Sequence, residues 1–436
     1  MHRGFQRRFS WSELAERRSR LASTLDGGVA LLQGAGPIGA FDRFRQTNEM
    51  LYLCGVSAPS AYLCVGPDGR SVLYLPQRET SLPVEDRDLL AQDAELIQST
   101  TGLDEVRPLS ALAGDLKSQK LIWTPFAPPE TARTSRDVLL IAERMGADEP
   151  FGPPASRHRQ FLASLAAACP LAELRNLTPA LDALRRIKSP SELEVLSEAG
   201  RLSAEAVRQA MLASRPGMSE AEMEAIALGV FLRGGAQGDG YKTIAPGGPN
   251  IWDGHYTAND QRVPAGEWVL MDCAPDLDGY TSDIGRMWPV DGRYNSWQRE
   301  LYGFVVDVHE ATLSRIRPGV TPQEVLDEVR AELEPLQRRT PWSRPSFEEA
   351  TRALLSFRGT FSHPVGMAVH DVGDYWGRPL EPGLVFTVDP QLWVRESRLY
   401  VRVEDTVAVT ETGIRVLTEG PPRQPEAVEA LLATRG

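Results

Sequence analysis

Asp272, Asp283, His363, Asp389 and Glu404 have the residue types and the spacing of a metal centre. Asp272 ends the apolar run Trp268-Val269-Leu270-Met271, and Asp283 follows the turn signal Asp278-Gly279. That pattern predicts a hairpin folded between Leu277 and Asp278, with the two aspartates opposite one another. Downstream, Asp389 ends Val385-Phe386-Thr387-Val388 and Glu404 closes Tyr400-Val401-Arg402-Val403, the two carboxylates equidistant from a turn near Glu396-Ser397. Alternation along the second strand puts Arg402 and Glu404 on one face. Singly, each acid reads as an ordinary turn residue and His363 as a packing or surface histidine. Jointly they offer oxygen-rich ligation with one imidazole and no thiolate, which suits Mn²⁺, Zn²⁺ or Co²⁺. Bridging carboxylates would suit two such ions about 3.5–4 Å apart.

Two further histidines lie among these motifs, His255 in Trp252-Asp253-Gly254-His255-Tyr256 and His370 in Val369-His370-Asp371-Val372-Gly373. Imidazoles beside a polarised carbonyl can donate to developing negative charge. The alternatives are a surface loop for His255 and a hydrogen-bonded core histidine for His370. Arg378 and Arg402 are candidates for a bidentate clamp on a substrate carboxylate. Arg378 alone reads more naturally as an exposed or salt-bridged residue, and Arg402, sharing a strand face with Glu404, as the partner that orients that ligand.

These residues need a scaffold, and 436 residues suffice for two domains with separate cores. The first half reads as α/β: a helix over 11–25, short strands at Val29–Leu32 and Leu51–Leu53, and a hairpin of Ala61–Val65 with Ser71–Leu75 across Pro67-Asp68-Gly69. A Pro/Gly-rich stretch (Pro150, Gly152, Pro153, Pro154) precedes a helix-rich region from about Asn176, which places the domains at 1–172 and 173–436. Ser189-Pro190-Ser191-Glu192 is a capping box that opens a long helix. The basic segment Leu184-Arg185-Arg186-Ile187-Lys188 before it reads as a helix end with a solvated basic face. Arg215-Pro216-Gly217-Met218-Ser219 with Glu222 reappears 102 residues later as Arg317-Pro318-Gly319-Val320-Thr321 with Glu324. Each copy precedes one carboxylate hairpin, an order that favours duplication and a pseudo-two-fold domain over chance reuse of helix-turn punctuation.

Composition narrows the function classes. A net charge of −12 from 47 basic and 59 acidic residues, without a segregated basic run, argues against nucleic acid as a partner. No apolar run reaches membrane-spanning length and the N-terminus lacks an apolar h-region, so no membrane partner and a cytoplasmic location are expected. Cys54, Cys64, Cys169 and Cys273 form no CxxC pair and read as four buried, reduced thiols.

The successive motifs Gly279-Tyr280 with Asp283-Ile284, Ser362-His363 with Gly366, His370-Asp371-Val372-Gly373, Leu380-Glu381-Pro382-Gly383 and Arg402-Val403-Glu404-Asp405 resemble the pita-bread metallopeptidases, in their aminopeptidase P and prolidase branch. Phe44-Arg45-Gln46 with Tyr52-Leu53 and Gly55 resembles the N-terminal domain of aminopeptidase P more than that of prolidase. The resemblance implies an α/β N-terminal domain followed by an α+β pita-bread catalytic domain. It implies two divalent ions, Mn²⁺ first, with Asp272 holding one, Asp283 and Glu404 bridging, and His363 and Asp389 holding the other. A hydroxide shared by the ions would attack the carbonyl while His255 and His370 position the substrate, and Asp389 would accept the proton of the attacking water. The implied substrate is a peptide with proline at its second position, and the implied assembly a homo-oligomer, dimer or tetramer. Prolidase activity on Xaa-Pro dipeptides is the alternative. The sequence departs from the family at Asp389 (usually Glu), Gln391 (usually Gly), Gly359 (usually His) and Tyr400 (usually small), which makes a weakly active or non-catalytic homologue a further alternative. A metal-free creatinase-like hydrolase is disfavoured, because all five ligand positions carry competent side chains.

Overall fold

The computed structural model describes residues 4–39, 41–77, 89–131, 133–147, 149, 150, 152 and 155–435. The Pro153-Pro154 part of the predicted linker lies outside them. Two compact units divide between Arg186 and Ile187, rather than at the predicted 172. The segment after 172 stays with the first unit because its strand, Glu173–Asn176, pairs in parallel with Leu121–Thr124 and closes the first sheet.

That sheet has six strands: β1 (Val29–Gln33), β2 (Tyr62–Val65), β3 (Ser71–Leu75), β4 (Glu105–Pro108), β5 (Leu121–Thr124) and β6 (Glu173–Asn176), in the order β4-β3-β2-β1-β5-β6. The β2–β3 hairpin and the helix Trp11–Ala22, capped by Ser10, follow the sequence expectation. Leu51–Leu53 does not. It lies in the helix Asn48–Cys54, every residue of which is buried and which ends at Gly55 with φ +65°. A short apolar run buried on all sides carries no periodicity that separates strand from helix.

The basic segment at the end of this unit is also corrected. Arg185 is 1 % exposed and ion-paired to the buried Glu49 (3.4 Å) and Glu130 (3.0 Å). Its aliphatic stem covers apolar surface while its charge is met inside, so charge pattern alone misplaced it. Lys188, in the second unit, is buried as well and pairs with Asp371 at 3.3 Å.

The second unit contains β7 (Trp268–Asp272), β8 (Ile284–Pro289), β9 (Val385–Val388), β10 (Gln391–Val394), β11 (Leu399–Arg402), β12 (Glu404–Val409) and β13 (Ile414–Val416). Strands β13-β12-β8-β7 form one sheet with β9 also paired to β12, and β10–β11 form a separate hairpin. Helices surround them, among them Pro190–Ala213, Ser296–Leu313 and Pro322–Arg339. Ser189 caps the first through the predicted box. Ser219 and Thr321 cap their helices through the same box, each preceded by a positive-φ glycine, Gly217 at +80° and Gly319 at +87°. The two predicted copies of the motif therefore share one backbone solution. Phe386, Val388 and Val407 anchor a core beneath the second copy's hairpin. Cys54, Cys169 and Cys273 are buried, whereas Cys64 is only half-buried, and none is in a disulfide.

Candidate metal centre

The first hairpin turns at Asp278-Gly279, whose φ values of +52° and +85° are those of a type I′ turn. Leu277 and Tyr280 exchange backbone hydrogen bonds of 2.8 and 3.0 Å across it. The turn is thus centred one residue later than expected, and Asp272 pairs with Gly285 rather than with Asp283. Moving the centre by one residue moves the pairing by two, so Asp283 remains on the same face as Asp272 and merely sits diagonal to it. The second hairpin keeps the predicted centre. Gln391 pairs with Arg402 and Val388 with Asp405, which leaves Asp389 and Glu404 opposite one another where β9 gives way to β10. Strand β12 then joins the halves, with Glu404 paired to Gly285.

His363 is held beside β9. Thr387 N donates to its carbonyl at 3.0 Å, and Val365 N donates to Val385 O at 3.1 Å. The chain then folds back, Asp371 N donating to Pro364 O at 3.0 Å. This return sets the His370 ring against that of His363, centroids 4.2 Å apart. His370 is half-buried and His255 is exposed. Arg378 stands exposed on the turn after Tyr375, its backbone N–H donating to Tyr375 O.

All four carboxylates are buried. His363 Nε2 lies 3.4 Å from Asp283 Oδ2 and 3.9 Å from Glu404 Oε1, and one ligand-competent atom from each of these three residues falls within 4.8 Å of the others. Arg402 serves the other carboxylates. Its Nη1 donates to Asp272 Oδ2 at 2.8 Å, its Nε and Nη2 donate to the two oxygens of Asp389 at 3.0 and 2.9 Å, and Nη2 also donates to Glu404. Gln391 donates its amide to Asp389 Oδ2. Asp389 is one methylene shorter than the glutamate usual at this position, and Gln391 and the Arg402 fork between them occupy both its oxygens.

Sequence reasoning missed Tyr241. Its hydroxyl lies within hydrogen-bonding distance of both Asp272 and, at 2.7 Å, Asp283, and its one proton is shared between them. The segment carrying it runs along the free edge of β7, Ile244 and Asp272 exchanging two 2.9 Å backbone bonds. Nothing in its local sequence has strand alternation, and the pairing consists of isolated bridges (Asp239 with Pro275, Ile244 with Asp272, Gly247 with Val269) rather than a continuous ladder, so no periodic signal could have revealed it.

The electrostatics of the cluster are unbalanced. One guanidinium and one imidazole face four buried carboxylates. Burial pushes Asp272 up to about 8, and the charge of Asp283 adds to it against Arg402. Burial likewise holds Glu404 well above the usual carboxylate range. At Asp283 burial is outweighed by the hydrogen bond and charge of His363, and by Arg402, so its carboxyl lies below the usual range. His363 is raised in turn, burial being outweighed by Asp283. Glu404 Oε1 is buried without a hydrogen-bond partner, although leaving such an atom unpaired costs about 1–3 kcal/mol or more. Excess buried negative charge, an unpartnered carboxylate oxygen and an adjacent imidazole together fit a divalent cation, which would satisfy all three.

A model of "Metallopeptidase family M24" matches residues 194–411, and one of "Aminopeptidase P, N-terminal domain" matches residues 14–120. The chain is 31% identical to the Xaa-Pro aminopeptidase of Escherichia coli (strain K12) over 452 aligned positions, covering 97% of this chain and 98% of that protein. It is 28% identical to Xaa-Pro aminopeptidase 3 of Mus musculus, covering 89% of this chain and 76% of the relative. Among solved structures, E. coli aminopeptidase P with the inhibitor Pro-Leu superposes with a TM-score of 0.78 at 29% identity, covering 98% and 99% of the two chains. A putative aminopeptidase P from Bacillus anthracis, 21% identical, shares the fold with a TM-score of 0.81, over 98% of this chain and 99% of its own.

Proposed function

The chain belongs to metallopeptidase family M24, and on that premise we propose that it is a metal-dependent exopeptidase that releases the N-terminal residue preceding proline. The observation that carries this reading is the buried carboxylate cluster, with Glu404 Oε1 unpartnered beside His363 and Asp283. Asp272, Asp283, His363, Asp389 and Glu404 would hold two divalent ions, Mn²⁺ first. Bound there, such ions supply Lewis acidity and lower the pKa of a coordinated water.

The chain's own residues do the rest. Arg402 keeps Asp272, Asp389 and Glu404 aimed into one space and offsets part of their mutual repulsion. Asp389, fixed by the Arg402 fork and Gln391, is the group placed to accept a proton from the attacking water. His370, whose ring is tilted against that of His363 at the half-buried edge of the cluster, donates to the oxygen that becomes negative as the carbonyl is attacked. His255, exposed at the rim, orients the incoming peptide. We further infer a homo-oligomer acting in the cytoplasm; among the described residues no helix is long and apolar enough to cross a membrane.

Aminopeptidase action on longer peptides takes precedence over dipeptidase action, because Arg402, one of the two candidate carboxylate clamps, is committed to three carboxylates of the chain itself. The test is product analysis by mass spectrometry after incubation of the Mn²⁺-loaded protein with an Xaa-Pro dipeptide and a matched tetrapeptide. Loss of the first residue from the tetrapeptide, abolished by a chelator, is expected. Cleavage of the dipeptide alone would make the protein a dipeptidase, and cleavage of neither would refute the proposal.

A further inference from the structure

One face of the β10–β11 hairpin runs outward from the catalytic carboxylates. Alternation places Asp389, Gln391 and Trp393 on one face of the first strand, and Glu404, Arg402, Tyr400 and Arg398 on the matching face of the second. The contacts of Arg402 with Asp272, Asp389 and Glu404 identify this face as the one that looks into the centre. Next along it, Trp393 pairs across the strands with Tyr400, and their rings stack with centroids 4.0 Å apart. Trp252 meets Trp393 edge-on at 5.1 Å, and the Arg398 guanidinium lies 5.9 Å from the Trp252 ring. Gly254 lies against this pair, and a Cβ there would be in ordinary van der Waals contact with Trp393 (3.5 Å) and Tyr400 (3.6 Å).

These rings are not simply core. Their strand neighbours Leu392, Val394 and Val401, on the opposite face, are at most 1 % exposed, whereas Trp393 remains 37 % exposed and Trp252 is half-buried. Tyr400 is the buried root of the stack, close enough to Arg402 and Asp389 to feel their charges. The result is a wall of aromatic surface, rooted at the centre and open to solvent at its outer end.

We propose that this wall binds the residue that follows proline in the substrate and selects an aromatic or large apolar side chain there. The inference rests on the Xaa-Pro reading above and adds a substrate class to it. Four residues of strand separate the Trp393–Tyr400 pair from Asp389 and Glu404, or about 13 Å. Two residues of extended peptide beyond the cleaved bond span about 7 Å, and the side chains on both sides close the remainder. On the Xaa-Pro reading the residue before proline carries the carbonyl attacked at the centre, so it lies at the centre itself and not along the strand. An aromatic pair of this kind contributes a factor of about five to ten.

The experiment compares kcat/KM of the Mn²⁺-loaded full chain for Ala-Pro-Phe-Gly, Ala-Pro-Gly-Gly and Phe-Pro-Gly-Gly. It is repeated with Trp393→Leu and Trp252→Leu, which alter exposed or half-exposed rings. In parallel, calorimetry measures binding of the product-like peptides Pro-Phe-Gly and Pro-Gly-Gly. The wild type is expected to prefer Ala-Pro-Phe-Gly over Ala-Pro-Gly-Gly about five- to tenfold, and Trp393→Leu to bring that ratio close to one. Equal rates for these two peptides, or a preference unchanged by both substitutions, would overturn the wall while leaving the Xaa-Pro activity standing. A gain confined to Phe-Pro-Gly-Gly would overturn it too, by placing the wall on the other side of the cleaved bond. If no peptide is cleaved but Pro-Phe-Gly binds more tightly than Pro-Gly-Gly in a Trp393-dependent way, the activity fails and the wall is upheld.

Discussion

Arg402→Met tests whether the centre is built for cations. The substitution preserves most of the side chain's volume and removes one guanidinium that donates to Asp272, Asp389 and Glu404. Removing one partner of a buried ion pair costs about 3–5 kcal/mol, because the other charge is left uncompensated. Here three carboxylates lose their common partner, so the metal-free variant should stand at the upper end of that range. A bound divalent ion supplies the missing positive charge. Ligand linkage gives about 2.7 kcal/mol at a hundredfold excess over Kd and about 4.1 kcal/mol at a thousandfold excess, enough to recover most of the loss. The assay is thermal unfolding of wild type and variant in chelator and across a Mn²⁺ titration. The variant is expected to melt well below the wild type without metal, and to gain more from Mn²⁺ than the wild type does, since no guanidinium competes with the ion for Asp272. A variant that is as stable as the wild type in chelator, or that gains nothing from Mn²⁺, would refute the electrostatic reasoning.

Other expectations follow from particular contacts. Asp389→Glu in the presence of Gln391 forces an extra methylene against an amide already bonded to that carboxylate, at a cost of about 1–3 kcal/mol. Adding Gln391→Gly should relieve it, and a double-mutant cycle on stability should return a coupling above about 0.5 kcal/mol. Because Asp272 in the folded, metal-free protein titrates at about 8, far above an unfolded aspartate, the folded state holds the extra proton between about pH 4 and 8. The metal-free protein should therefore lose stability as pH rises through that window, with raised His363 acting in the same sense. A melting temperature that climbs over that range in chelator would contradict the assignment. Lys188→Met removes the buried ammonium that pairs with Asp371 and should cost about 3–5 kcal/mol, measurable by urea unfolding; a loss below about 1 kcal/mol would show the pair to be dispensable.

The cluster was legible in the sequence because its four carboxylates sit at strand ends, where turn residues and period-two alternation both leave marks. Even the misplaced centre of the first hairpin did little harm, since a two-residue change of partner keeps a side chain on its face. Tyr241 was invisible because isolated bridges along β7 and its continuation leave no alternating pattern. Arg185 and Lys188 were misread because a sequence shows where charges are and not which acids, Glu130 or Asp371, will meet them inside. The helix Asn48–Cys54 was misread for the opposite reason: a run buried on every side has no polar face to betray its period. The roles of Gln391 and Arg402 in fixing Asp389 required coordinates, since the register that brings them together comes from the pairing of β10 with β11.

The pairing of Glu404 with Gly285 joins parts of the chain that are 119 residues apart in sequence. Each carboxylate hairpin can form locally, but neither holds a complete ligand set, and only this late, non-local seam brings the sets together. A chain emerging from synthesis or refolding from denaturant thus passes most of its route with no place for an ion. Cations added from the start should leave the refolding rate almost unchanged and act instead on the rate at which the finished molecule comes apart. For this fold, metal is a lock on the closed seam and contributes little to closing it.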